Sequence, residues 1–296
     1  MAMQRREFLK LAGIGSVFLV TGLGRTALAA GEKSMVENFT FVQMSDSHWG
    51  FSGAPVNPEA AVTLKKAVAE VNALAKRPDF IVFTGDLTHT TDDPQERRKR
   101  LREFKEIMSG LLVKDVKYIP GEHDASLDNG EAFKEFFGPT HYAFNHKGVH
   151  FIALDNVSDP TASLGEEQLQ WFGAELAKLD KNAPLVVVTH RPLFDLYPQW
   201  DWATRDGAKA VAMLEPFADA TVLYGHIHQE NHFMTGAVPH HAAKSLVFPL
   251  PAPGSTPKRV PVLWDPAAPF QGLGVRGVAA MAGKKSVELT EYPLKG

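Results

Sequence analysis

Phe39-Thr40-Phe41-Val42-Gln43-Met44-Ser45-Asp46-Ser47-His48 decides the reading of this chain. An aromatic and β-branched run stops at polar residues, which predicts a strand, and an aspartate and a histidine follow at its end. The same design returns four times. Phe80–Thr84 leads into Gly85-Asp86-Leu87-Thr88-His89, and Val116–Ile119 into Pro120-Gly121-Glu122-His123-Asp124. The run 185–189 ends at His190, and 221–224 runs into Gly225-His226-Ile227-His228.

Helical segments separate these strands. Asn57 is placed to cap a helix opened by Pro58, with Leu64, Val68 and Val71 on one face. Pro94 opens a second, with Leu101, Phe104 and Met108 at helical spacing. Its cluster Arg97 to Arg100 reads as a solvated face, because Glu96, Glu103 and Glu106 interleave with it. Further helices are expected at Glu131–Phe137, 165–179 and 208–217, and a strand at 149–154. The alternation predicts an α/β (α+β layered) fold, a sheet covered by helices. Past Phe233 helical periodicity vanishes, and strands are expected at 260–263, Gly274–Ala280 and 287–292.

In a layered α/β sheet the carboxyl ends of the strands line the ligand crevice. Six of the twelve histidines lie immediately beyond apolar strands, so five strand ends would bring imidazoles and carboxylates to one place. Gly85, Gly121 and Gly225 let the backbone turn sharply at that rim. Imidazole with carboxylate suits zinc, iron and manganese.

Composition narrows the alternatives. With 296 residues, 44% hydrophobic and 22% charged, the chain is no disordered segment. The absence of cysteine excludes a disulfide scaffold, a thiolate zinc site and an iron–sulfur cluster. A formal charge of -3 gives no reason to expect nucleic acid as a partner. Tyr197, Trp200 and Trp202 follow His190 in a Pro-containing stretch. They either stack on a substrate base or pack a loop. His240-His241 reads as a surface pair.

The first residues read as an address. Arg5-Arg6-Glu7-Phe8-Leu9-Lys10 resembles the twin-arginine export motif, with Gln4 where that motif most often has Ser or Thr. An uncharged run follows, then Ala27-Leu28-Ala29 at the spacing a signal peptidase reads. The run is short and holds Gly13, Gly15, Gly22 and Gly24, so no permanent membrane span is expected. Residues 1–29 are thus expected to be a signal peptide, read by the twin-arginine translocase, and 30–296 a single domain delivered to the periplasm. That route usually serves proteins that load a cofactor before export.

The order Asp-x-His, Gly-Asp, Gly-x-His-Asp, His, Gly-His-x-His resembles that of the calcineurin-like metallophosphoesterases, over roughly residues 39 to 232. The resemblance implies a β-sandwich of two mixed sheets flanked by helices, holding two metal ions. One ion would be held by Asp46, His48, Asp86 and His228, the other by Asp86, Glu122, His190 and His226, with Asp86 bridging. A water or hydroxide between the ions would attack a phosphorylated small-molecule substrate. His123 would protonate the leaving oxygen, with Asp124 holding its ring. His89 matches no family ligand and is either a substrate contact or a support for one.

The family usually has Asn where this chain has Glu122. With Asp46 and Asp86 that residue makes three negative charges, so a ferric ion beside a divalent one would restore the balance. Iron with manganese, zinc or a second iron is therefore the expected pair, unless Glu122 points away or merely weakens the second metal site. The expected function is a metal-dependent phosphoester hydrolase, leaning toward phosphodiesters, with monoesters and pyrophosphates open. The competing class is a non-catalytic periplasmic metal-binding or recognition protein.

Overall fold

The computed structural model describes residues 36–285 and 287–296, and the export signal read at residues 1–29 lies outside them. Two mixed sheets stack face to face. The first carries β1 (Phe39–Met44), β2 (Phe80–Thr84), β3 (Val116–Ile119), β10 (Gly274–Ala280) and β11 (Glu288–Pro293), in the order β11-β10-β1-β2-β3. The second carries β4 (Tyr142–His146), β5 (Val149–Ala153), β6 (Leu185–Val188), β7 (Ala220–Tyr224), β8 (Asn231–Thr235) and β9 (Val238–Ala242), in the order β4-β5-β6-β7-β9-β8. β1, β2 and β3 run parallel, as do β5, β6, β7 and β9. Their carboxyl ends therefore emerge together within each sheet.

The period of two sorts side chains between layers. Phe41, Phe80 and Val82 face inward and meet Phe151, Val186 and Val188 of the other sheet. Phe41 stacks on Phe80 with ring centroids 4.8 Å apart, and Phe151 meets Phe80 edge-on at 5.4 Å. The intervening residues Val42, Ile81 and Phe83 face outward onto α1 (Ala60–Asn72) and α2 (Pro94–Met108), through Leu64, Val68 and Phe104. On the other side Leu185, Val187 and Val222 meet α5 (Gly165–Leu176) and α6 (Gly207–Leu214). Short helices α3 (Glu122–Ala125) and α4 (Glu131–Phe137) follow β3. The layered α/β reading is correct: helix, sheet, sheet, helix.

A buried cation ties the two sheets. Arg276 on β10 is fully buried; it donates to Ala242 O on β9 at 2.6 Å and to Gln43 Oε1 on β1 at 3.3 Å, and pairs with Glu291.

Several expectations need correction. Asn57 is not the N-cap: α1 begins at Ala60, and Asn57 instead accepts from Glu59 N and donates to Val247 O. Residues 260–263 form no strand; Val262 N bonds Pro249 O at 3.0 Å, and Trp264 N bonds Pro55 O at 3.1 Å, in a loop. The β8–β9 hairpin was not among the expected strands, although Gly236, with φ +59, supplies a turn signal there. His240, on β9, is fully buried and bonded to Thr235 Oγ1 at 2.7 Å, so it is no surface residue. Nor is the arginine run only a solvated face. Arg97 is buried against Asp128 at 2.8 Å, and Arg100 donates to the carbonyls of His89 and Thr90.

Candidate metal centre

The loops after five strands meet. Asp46, His48, Asp86 and His228 place one ligand atom each within 4.8 Å of one another, and Glu122, His190 and His226 do the same. Asp86 Oδ2 lies 3.3 Å from His48 Nε2 and 3.4 Å from His190 Nε2, so its carboxylate stands between the two groups. All seven expected ligand residues are thus brought together.

The backbone is bent to achieve this. Asp46, His48, Asp86, His226 and His228 all have positive φ, from 42 to 67 degrees. Non-glycine residues rarely adopt that region, and the strain gathers at functional sites. The preceding glycines serve a purpose other than turning alone. A Cβ on Gly121 would lie 2.0 Å from Asp86 Oδ1, and one on Gly225 2.1 Å from Ser45 Oγ. Of the three, only Gly85 has a positive φ, and its Cβ would meet His190 Nδ1 at 2.4 Å.

Each imidazole has one nitrogen in the cluster and the other tied down. His190 Nδ1 donates to Thr84 O at 2.6 Å, His228 Nδ1 to Phe248 O at 2.8 Å, and His226 Nε2 to Asp201 O at 3.0 Å. His48 Nδ1 meets His89 Nδ1 at 3.2 Å, which makes His89 a support for His48. Fixing the far nitrogen sets the tautomer and aims the near one, the outer arrangement expected around a bound cation.

Around Glu122 the near atoms lack partners of their own. Glu122 Oε2 and His190 Nε2 lie 2.8 Å apart, as do Glu122 Oε1 and His226 Nδ1. Yet Glu122 Oε2, His190 Nε2 and His226 Nδ1 are buried without a hydrogen bond of proper geometry. Leaving a buried polar group unsatisfied costs about 1–3 kcal/mol. A cation among them removes that cost, so the donor set fits a metal. Glu122 points into the cluster, not away from it.

The charge states agree with that fit at His48, His226, Glu122 and Asp86. At His190 burial is outweighed by Asp86 and Glu122, which raise it well above the usual imidazole range and hold a proton there that a cation would displace. Burial holds His48 well below the usual imidazole range and lowers His226, favouring the neutral form that ligates. Burial opposes ionisation of Glu122, but His226 and His190 outweigh it and hold its carboxyl well below the usual range. Burial and Glu122 also work against Asp86, which His190, His123 and His48 nevertheless bring to about 2.

One expected role changes and one open choice closes. Asp124 does not hold the ring of His123. Its carboxylate accepts from Leu87 N at 2.9 Å, Thr88 N at 2.8 Å, Thr88 Oγ1 at 2.9 Å and Gly121 N at 2.9 Å, clamping the loops after β2 and β3. Burial and the neighbouring Asp86 push it up to about 7 against those donors. His123 is instead oriented by Thr90 N, which donates to its Nδ1 at 3.1 Å. Trp200 and Trp202 are not substrate platforms either. Both are buried in a cluster with Tyr224 and Ile227, and Trp202 has no exposed face.

Two stacked mixed sheets with this rim make the chain a metal-binding hydrolase of phosphoesters. Over residues 39–230 it matches the calcineurin-like phosphoesterases, and it belongs to that family. It is 26% identical over 220 residues to a probable cyclic nucleotide phosphodiesterase of Rhodococcus erythropolis, covering 70% of each chain. To a probable glycerophosphodiester phosphodiesterase of Arcobacter nitrofigilis it is 27% identical over 161 residues, 51% of this chain and 57% of that one. In fold it is similar to a purple acid phosphatase from yellow lupin seeds, with a TM-score of 0.64 at 14% identity, over 88% of this chain and 52% of that one.

Proposed function

We propose that the chain is an exported phosphodiesterase that works with two metal ions. The observation that supports this most is the Asp86 carboxylate standing between His48 and His190. Asp46, His48, Asp86 and His228 would hold one ion, and Asp86, Glu122, His190 and His226 the other. Such a pair supplies a water of lowered pKa and neutralises charge on the attacking and leaving oxygens.

The chain's own residues do the rest. With Nδ1 accepting from Thr90 N, the neutral ring of His123 carries its proton on Nε2. That N–H donates a hydrogen bond to the leaving oxygen as its bond to phosphorus breaks; the attacking water supplies the oxygen gained by phosphorus, and the proton it releases ends on the leaving oxygen. A non-catalytic metal-binding protein has no use for an imidazole so held beside its ligands. The relatives named as phosphodiesterases lend weight to diesters over monoesters.

The charge count supports one choice of metals. Asp46, Asp86 and Glu122 bring three negative charges, and four neutral imidazoles bring none. Two divalent ions leave a single positive charge; a ferric ion beside a divalent one leaves two. Iron paired with manganese, zinc or iron is the reading we adopt. Residues 30–296 would be one domain reaching the periplasm by the twin-arginine route. A panel of monoester, diester, cyclic and pyrophosphate substrates on iron-, manganese- and zinc-loaded protein tests the reading. Turnover fastest on a diester is expected; no turnover with any metal would overturn it.

A further inference from the structure

The cavity over the cluster measures about 190 Å³ and is bounded by two unlike walls. One is the rim of His48, Asp86, Glu122 and His123; the other, from the segment after β9, includes Phe248, Leu250, Pro261 and Arg259. Among the described residues lining it, Arg259 is the one lysine or arginine. It lies beyond residues 39–230, where the family match ends. One N–H, at Nη1, donates to Trp200 O at 3.0 Å, which pins the loop to the Pro198–Trp200 turn. No carboxylate among the described residues pairs with it, although the chain carries 34 acidic side chains.

A guanidinium has five N–H donors in a planar fork that matches phosphate oxygens. Here one donor is spent on Trp200 O, and the rest of the group borders the cavity with no counter-ion. We propose that Arg259 binds a phosphate oxygen of the substrate in the ground state, from the segment after β9 that lines the same cavity as His123. It is a binding residue that adds one positive charge to a site in which Glu122 has removed one. This rests on the phosphoesterase reading, and it identifies the substrate's anionic phosphate as what the tail segment recognises.

Arg259→Met keeps the length of the side chain and removes charge and fork; Arg259→Lys keeps the charge alone. Calorimetric titration of inorganic phosphate into metal-loaded protein reads binding without turnover. A hydrogen bond to a charged group is worth enough to change affinity by about ten- to a hundredfold. Arg259→Met is expected to weaken phosphate by that factor and raise KM for a diester alike, with kcat and metal content unchanged and Arg259→Lys between the two. Unchanged phosphate affinity in Arg259→Met would overturn the proposal, as would a fall in kcat at constant KM, which marks a structural strap. If wild-type protein binds phosphate but hydrolyses no ester, the functional reading fails while the titration still judges Arg259.

Discussion

Thr90 N donates to Nδ1 of His123 at 3.1 Å, so a backbone amide sets the tautomer of the imidazole proposed to meet the leaving oxygen. His123→Ala should therefore keep its metals and lose roughly 10²–10⁴-fold in turnover, the usual contribution of a general acid. Metal analysis beside steady-state kinetics checks both halves. Lost metal would mean that His123 is a ligand instead.

Asp124→Asn should behave differently. An amide keeps one oxygen and turns the other into an NH2, which then faces either Leu87 N and Gly121 N or Thr88 N, all of them donors. We expect a stability loss of about 2–3 kcal/mol, set by buried donors left facing donors. Chemical denaturation should show it, and the pH profile of the remaining activity should keep its shape. A lost acid limb with intact stability would return Asp124 to the role of ring orienter.

Asp86→Asn should empty or disorder both metal positions, because one carboxylate faces both groups of ligands. Two metals per chain retained at full occupancy would contradict the shared position. Gly121→Ala should act similarly through sterics alone, since its Cβ would lie 2.0 Å from Asp86 Oδ1.

Glu122→Asn should shift the preferred pair from ferric–divalent toward two divalent ions. Metal content of protein matured in the cytoplasm decides this. Equal divalent occupancy in Glu122→Asn and wild type would end the ferric assignment.

The strand ends made the site legible because metal chemistry leaves residue types that packing alone does not demand. Asp46, Asp86, Glu122 and six histidines could be read from their places after apolar runs, and the family resemblance separated the four ligating histidines from His89 and His123. Asp124 could not, because adjacency in sequence to His123 says nothing of which way two side chains turn on one helical turn. Trp202 stayed open between stacking and packing for a similar reason: an indole after His190 looks the same whether it faces a cavity or Tyr224. Arg259 carried no local pattern at all, as its place depends on how a long loop returns to the rim. Strands 149–153 and 274–280 were plain from β-branched runs, whereas β8 and β9 were masked by histidines and Pro239.

Arg276 joins both sheets through Ala242 O and Gln43 Oε1 and pairs with Glu291. Arg276→Ala should cost about 3–5 kcal/mol, the usual result of breaking a buried charged pair on one side. Thermal unfolding of the full chain measures it, and a change below about 1 kcal/mol would mean that water replaces the guanidinium.

The five positive-φ side chains at the rim have one consequence for anyone who would engineer this enzyme. Glycine at Asp46, His48, Asp86, His226 or His228 would relieve about 1–2 kcal/mol of backbone penalty apiece. Directed evolution scored on heat tolerance alone would therefore be rewarded for erasing the chemistry, one relaxed turn at a time.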